Sequence, residues 1–205
     1  MTIELPIDIE TVKGFLDNSE GEALYQYALQ ASPLGPCLEI GSYCGKSTIY
    51  IATACRKTDS VLYALDHHRG SEEHQPGEEY YDPDLYDEKD QVIDSFREFR
   101  RTITRAGLTD TVIPIIASTN IASKKWQTPL SMVFIDGGHS LEAALGDYRS
   151  WAGHIVKNGI LAIHDIFTDP EEGGQAPYQV WKMACASGLF KEIEKVKSLG
   201  LLRRI

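Results

Sequence analysis

The sequence predicts an α/β fold with a mostly parallel, seven-stranded sheet, helices on both faces and an antiparallel hairpin at the C-terminal end. Short apolar runs alternate with helical patterns along the chain, the signature of parallel strands joined by crossover helices. Each run is brief and rich in Val, Ile or Leu, as strands covered on both faces are. The last two runs are separated only by a tight connection around Ser198 and Leu199, which suits antiparallel neighbours at a sheet edge.

In chain order, strands are expected at Cys37–Gly41, Ser60–Asp66, Val112–Ile116, Ser131–Asp136, Gly159–Asp165, Phe190–Val196 and Gly200–Ile205. Helix Glu20–Ala31 precedes the first strand and Gly45–Arg56 follows it. Helix Glu88–Ala106 would place Val92, Phe96, Phe99 and Ile103 on one face. Leu141–Ile155 does the same with Leu141, Ala144, Leu145, Tyr148 and Ala152, and Gln175–Ser187 leads into the hairpin. The 205 residues suit one domain, 1–205, with an insertion at about 67–90.

Charge is concentrated in that insertion. The chain carries 20 basic and 30 acidic residues, a net charge of −10. From Asp66 to Asp90 there are ten acids against Arg69 and Lys89. This balance argues against nucleic acid as the main partner, because phosphate backbones need clustered cations. No apolar run approaches the roughly 20 residues that span a bilayer, so no membrane partner is expected. The start MTIELPIDIETVKG lacks a secretory pattern. Cys37, Cys44, Cys55 and Cys185 form no C-x-x-C pair. They are expected to be reduced in a cytoplasmic protein.

The segment CLEIGSYCGKSTIYIA reads as strand, glycine turn and helix. Gly41 and Gly45 allow a sharp turn and close approach to a ligand, and the helix start presents free N–H groups. A phosphate-binding G-x-x-x-x-G-K-[ST] loop needs four residues between its glycines, and here there are three. A G-x-G-x-x-G dinucleotide fingerprint would put its second glycine at Tyr43, whose side chain would block a pyrophosphate. What remains is acidic-x-Gly-x-x-x-Gly: Glu39, Gly41 and Gly45 around Ser42 and Tyr43. Here the chain resembles the class I S-adenosylmethionine-dependent methyltransferases, whose Rossmann-like fold wraps the methionine part of the cofactor with this turn. The resemblance implies that Glu39, Gly41, Ser42, Tyr43 and Gly45 serve that part. Asp66, ending the second strand, would bond the ribose hydroxyls, since a carboxylate has lone pairs for a vicinal diol. Ser118, after the third strand, would lie near the adenine or else simply cap a helix.

A second block, VFIDGGHSLEAALGDYRSWAGHIVKNGILAIHDIF, places Asp136 at the end of the fourth strand, His139 three residues on, and His164-Asp165 at the end of the fifth. Ligands of open α/β sheets bind outside the carboxyl ends of the strands, so Asp66, Asp136 and Asp165 should share one rim. This block resembles a subgroup that includes macrocin-type sugar O-methyltransferases and relatives named for cephalosporin hydroxylase, over roughly Leu38 to Phe167. That resemblance implies Asp136 and the pair His164-Asp165 as ligands of a divalent metal, Mg or Mn, with His139 as general base beside Asp136. The subgroup's pair is often Glu-Asp or Asp-Asp. His164 therefore shifts preference from magnesium toward manganese, iron or zinc, or serves as a supporting residue or a neutral loop histidine, or the site binds no metal.

The expected activity is O-methylation of a hydroxyl on a small molecule or sugar. The alternative is a non-catalytic protein binding a nucleotide-like ligand on the same fold. The acidic segment leaves the rim directly after Asp66 and reads as a lid or substrate wall, with Pro76, Gly77 and Pro83 excluding a continuous helix. It would favour neutral or cationic substrates. His67 and His68, following the cofactor acid closely, read first as exposed loop residues and second as contacts to substrate or metal. The resembled subgroup often self-associates, which implies a homo-oligomer.

Overall fold

The computed structural model describes residues 3–71, 74–78, 80–138 and 140–205. Among these, seven strands form one sheet: β1 Cys37–Ile40, β2 Leu62–Asp66, β5 Val112–Ile116, β6 Leu130–Ile135, β7 Ile155–Ile163, β8 Phe190–Val196 and β9 Leu199–Arg204. A separate small ribbon pairs β3 Tyr86–Asp87 with β4 Val92–Ile93. The sheet order is β5-β2-β1-β6-β7-β9-β8. Neighbours from β5 to β7 are parallel, and β9 lies antiparallel between β7 and β8. The expected hairpin is thus present, with its later strand inserted against the sheet and its earlier one at the edge.

The helices are α1 Asn18–Ala31, α2 Lys46–Lys57, α3 Phe96–Arg105, α4 Thr119–Ala122, α5 Leu141–Trp151 and α6 Ala176–Ala186. Apolar residues on one sheet face (Cys37, Leu62, Met132, Phe134) pack against Leu24, Ile49, Ile51 and Phe99 of α1 to α3. On the other, Leu38, Val133 and Leu161 pack against Tyr148, Trp151, Val180 and Trp181 of α5 and α6. Each fully buried aliphatic side chain contributes about 1.5–3 kcal/mol, so the alternation of β1 between the faces locks its register. No helix among the described residues is long and apolar enough to cross a membrane.

Two expectations change. The helix expected from Glu88 begins only at Phe96. The Asp87 carboxylate accepts the N–H groups of Lys89 and Asp90, and Gln91 takes a left-handed φ of 55°. That turn chemistry overrides the helical spacing of Val92, which lies in β4. The fifth strand starts at Ile155, earlier than expected, on the part of β7 that pairs Leu130 with Ile155 across a register shift.

The order of strands places the site. After β1 the chain runs outward on one side through β2 and β5, then returns to β6 and β7 on the other. The crevice beyond β1 and β6 is therefore the topological switch point, where ligands of such sheets bind.

Candidate functional site

β1 ends at Ile40 and the chain turns through Gly41 to Gly45 into α2. Gly41 has φ 87°, and a Cβ there would stand 2.0 Å from the Asp136 carbonyl oxygen. The ends of β1 and β6 approach more closely than any side chain permits. Gly41→Ala is expected to cost at least about 2 kcal/mol, read as a lower urea midpoint. Gly45 does not face the cleft: it begins α2 at φ 94°, turned toward Phe99 and Thr102. It lines neither of the clefts described below and makes the turn into α2.

Glu39 is also corrected. It is fully buried on the helical side of β1, where Ser47 and Thr48 hydroxyls each donate to its carboxylate at 2.5 Å. It holds the start of α2 against β1 and does not line the cleft. Burial pushes its carboxyl up to about 8; the two hydroxyl bonds pull downward, and the Asp136 and Asp66 charges add to the rise. The folded chain keeps this proton to about pH 8, whereas the group's ordinary value is 4.5. Its contribution to stability is therefore full at acid pH and declines as pH rises through that window. Glu39→Gln should flatten this slope in urea midpoints measured across it.

Asp66 ties the rim together. Its Oδ2 accepts the Tyr43 N–H at 2.8 Å and its Oδ1 the His68 N–H at 2.7 Å. Each oxygen retains a further lone pair, and the residue lines both clefts described next. Tyr43 holds a left-handed φ of 44°. Ser42 beside it is buried, and its hydroxyl has no hydrogen-bond partner among the described residues. His68 corrects the expectation of an exposed loop residue. It is 2% exposed, packed on Phe96 and Phe99, with Nδ1 2.9 Å from Ser95 Oγ.

Two clefts meet at Gly41, Asp66, Gly137 and Gly138. One, about 480 Å³, is walled by Ile40, Leu65, Ser118, Thr119, Asn120 and Asp147. Ser118 precedes α4 and makes no side-chain cap bond, so the simple capping role does not describe its hydroxyl. Asp147 is buried, and desolvation pushes its carboxyl up to about 6 against a Thr119 bond. The other cleft, about 670 Å³, is lined by Ser42, Tyr43 and Lys46 on one side and Asp136, His164 and Asp165 on the other.

Those last three are brought together by β6 and β7. The His164 N–H donates to the Ile135 carbonyl at 3.0 Å, extending the parallel pairing past the strand end. His164 Nδ1 then lies 3.2 Å from Asp136 Oδ1 and 3.3 Å from Asp165 Oδ1. Asp165 is held at a left-handed φ of 56°, an uncommon conformation for a side-chain-bearing residue. One ligand atom from each of the three falls within 4.8 Å of the others. His139 lies outside the described residues.

Glu20 completes the arrangement, unforeseen from sequence. It is 3% exposed, and its Oε2 lies 3.0 Å from His164 Nε2. Its Oε1 accepts the N–H and hydroxyl of Ser198, between β8 and β9, at 2.9 and 2.8 Å. It is also the third residue of α1, closing the capping box that Asp17 opens. The pattern Asp17-Asn18-Ser19-Glu20 is a readable N-terminal signal, but nothing local shows that its acid faces a histidine 144 residues away. Burial alone would lower the His164 pKa; the Asp136 charge and the bonds to Asp136, Asp165 and Glu20 raise it well above its ordinary value. Burial likewise opposes the Glu20 charge, and His164 and Ser198 hold its carboxyl below the usual range.

The insertion forms part of the larger cleft. Leu85 and Ile93 bury themselves against Cys44 of the glycine turn, with Tyr43, Tyr81 and Tyr86 around them. Lys13, before α1, reaches Asp82 at 2.6 Å and Asp84 at 2.8 Å. Lys13, Phe15, His74 and Tyr80 all line the cleft. Lys13 and Phe15 are not indicated by the sequence, because only the fold brings the N-terminal segment over the insertion, whereas Tyr80 and His74 lie in the segment expected to form a lid or substrate wall.

Comparison with known proteins agrees with this architecture. The O-methyltransferase NovP superposes with a TM-score of 0.68 at 16% identity, over 91% of this chain and 79% of that one. The O-methyltransferase from Bacillus cereus, solved with SAH, gives 0.64 at 15%, over 93% and 83%. TomG from Streptomyces achromogenes, an O-methyltransferase of tomaymycin synthesis solved with SAM, gives 0.64 at 14%, over 93% and 81%. At these identities the likeness establishes the class I methyltransferase fold. A family model described as a methyltransferase domain matches residues 38–166, spanning the glycine turn, Asp66 and the Asp136/His164/Asp165 cluster, and the chain belongs to that methyltransferase family.

Proposed function

We propose that the protein is an S-adenosylmethionine-dependent O-methyltransferase acting on a hydroxyl of a small molecule or sugar. The observation that carries this reading is the joining of the two clefts at Gly41 and Asp66, directly beside the Asp136/His164/Asp165 cluster. The smaller cleft suits an adenine between Ile40, Leu65 and Ser118. Asp66 offers its remaining lone pairs to the ribose diol. The unpartnered Ser42 hydroxyl offers a bond to the cofactor's amino-acid end. The larger cleft then receives the acceptor.

The residues of the cluster fit a divalent cation. Two carboxylates and an imidazole nitrogen converge, Nδ1 would give up its proton as an ion enters, and Glu20 engages the other imidazole nitrogen, an arrangement that orients metal-binding histidines. Asp136, His164 and Asp165 would hold the ion, and the imidazole favours manganese over magnesium. Such an ion supplies stabilisation of negative charge on an acceptor oxygen. The chain's own residues perform the remaining tasks. The rim aligns the acceptor oxygen with the methyl carbon, which is already electrophilic. His139, next to the cleft residue Gly138, takes the hydroxyl proton on an imidazole nitrogen, a base suited to neutral pH.

A cytoplasmic setting is part of this proposal, supported by cysteines that are all free, three of them buried. So is a neutral or cationic acceptor, supported by the carboxylates of the insertion. The experiment is methyl transfer from labelled S-adenosylmethionine to the small-molecule fraction of a cell extract. Label should appear in an alkali-stable ether, fall at least about tenfold after exhaustive chelation, and return with manganese. No transfer from any fraction would contradict the activity. Full activity after chelation would contradict the metal alone.

A further inference from the structure

The outer wall of the larger cleft is built from groups that the transfer chemistry does not use. Phe15 and Tyr80 stand with centroids 5.0 Å apart in an edge-to-face pair, and Tyr43 lies 6.0 Å from Phe15. His74 lies 5.1 Å from the Tyr43 ring. These rings come from three separate segments: the stretch before α1, the glycine turn and the insertion. Single exposed apolar residues are ordinary, but here several rings gather on one cleft wall, and Phe15 is 63% exposed there. Exposed aromatic surface concentrated in a cleft marks a ligand-facing surface.

Acids outnumber bases along this wall. Glu78, Glu171 and Glu172 line the same cleft, the last two from the loop after β7. No ion pair among the described residues engages them. Lys13, the cation nearest the rings in sequence, is taken by Asp82 and Asp84 at 2.6 and 2.8 Å. Lys46, at the start of α2, lines the cleft as well, its stem against Gly14 beside Phe15, and among the described residues is the one base set against the three acids. Aromatic faces that share a cleft with an excess of carboxylates attract a cation through the ring quadrupole and through the field of the acids together. A phosphate or carboxylate in the same place would meet repulsion.

We propose that this wall, formed by Phe15, Tyr80 and Tyr43 with Glu78, Glu171 and Glu172, is the recognition subsite for the acceptor. The acceptor is then an amine-bearing molecule with a flat apolar or aromatic face, bound as the protonated amine. The assignment of this ligand as acceptor rests on the methyltransferase reading above; the cation-selective subsite does not.

The test uses 2-phenylethylamine and 3-phenylpropionate, probes of similar size and opposite charge, titrated into the full-length protein loaded with S-adenosylhomocysteine and followed by ligand-observed NMR. The amine is expected to bind about tenfold more tightly than the carboxylate. Glu171→Gln with Glu172→Gln should bring that ratio close to one. Phe15→Ala should weaken the amine several-fold without lowering the unfolding midpoint, since the ring is largely exposed. Equal binding, preference for the carboxylate, no binding of either probe, or a ratio unchanged in the double variant would each overturn the subsite. A protein that selects the amine but takes up no S-adenosylhomocysteine would overturn the methyltransferase reading and leave the subsite standing.

Discussion

Asp136→Asn is expected to lower methyl transfer at least about a hundredfold, within the range for loss of a group acting directly on a reacting proton or charge. The unfolding midpoint should fall, because His164 loses a neighbouring charge, but by less than in Glu20→Ala. The backbone bond from the Asp136 N–H to the Ile40 carbonyl, 2.9 Å, does not involve the side chain, and His164 retains Glu20 and Asp165 as partners. Initial rates with labelled cofactor check the loss. Calorimetry with S-adenosylhomocysteine should show cofactor affinity within a few-fold of wild type, because the acid proposed for the ribose is Asp66. A variant with full turnover at saturating substrate would remove Asp136 from the reacting centre.

Glu20→Ala should give the largest loss of stability of any single substitution considered, about 3–5 kcal/mol, as when one partner of a buried ion pair is removed. The change strips His164 Nε2 of its partner, leaves the N–H and hydroxyl of Ser198 without an acceptor and opens the capping box of α1. Thermal unfolding reads the effect directly. Glu20→Gln keeps an acceptor for Ser198 and should recover part of the stability. It should recover less of the methyl transfer, because a neutral amide no longer holds the imidazole electrostatically. Equal recovery of both would reduce Glu20 to a helix cap.

The sheet was largely legible because strand length, apolar content and intervening helical spacing all agreed. Val112–Ile116 has the same bounds in sequence and structure. The helix expected from Glu88 failed where the Asp87 turn, a local hydrogen-bonding choice, prevailed over apolar spacing that would fit either state. The rim residues Gly41, Ser42, Tyr43, Asp66, Ser118, Asp136, His164 and Asp165 were legible because each follows a strand end, and strand ends of a parallel sheet converge. Glu39 and Gly45 share the same motif, but strand alternation turns Glu39 away from the cleft, and Gly45 faces α3. Glu20, Lys13 and Phe15 were not legible as site residues. Their place depends on α1 lying beside the end of β7 and on the insertion folding back over the N-terminal segment, contacts between parts of the chain that no local pattern encodes.

The central claim is that one S-adenosyl ligand bridges the two clefts across Asp66. Calorimetric titration of S-adenosylhomocysteine into the wild-type protein and Asp66→Ala tests it most directly. The account predicts one equivalent bound by the wild type and an affinity at least about tenfold lower in the variant, the loss expected for charge-assisted hydrogen bonds. No binding by the wild type, or undiminished binding by Asp66→Ala, would contradict it.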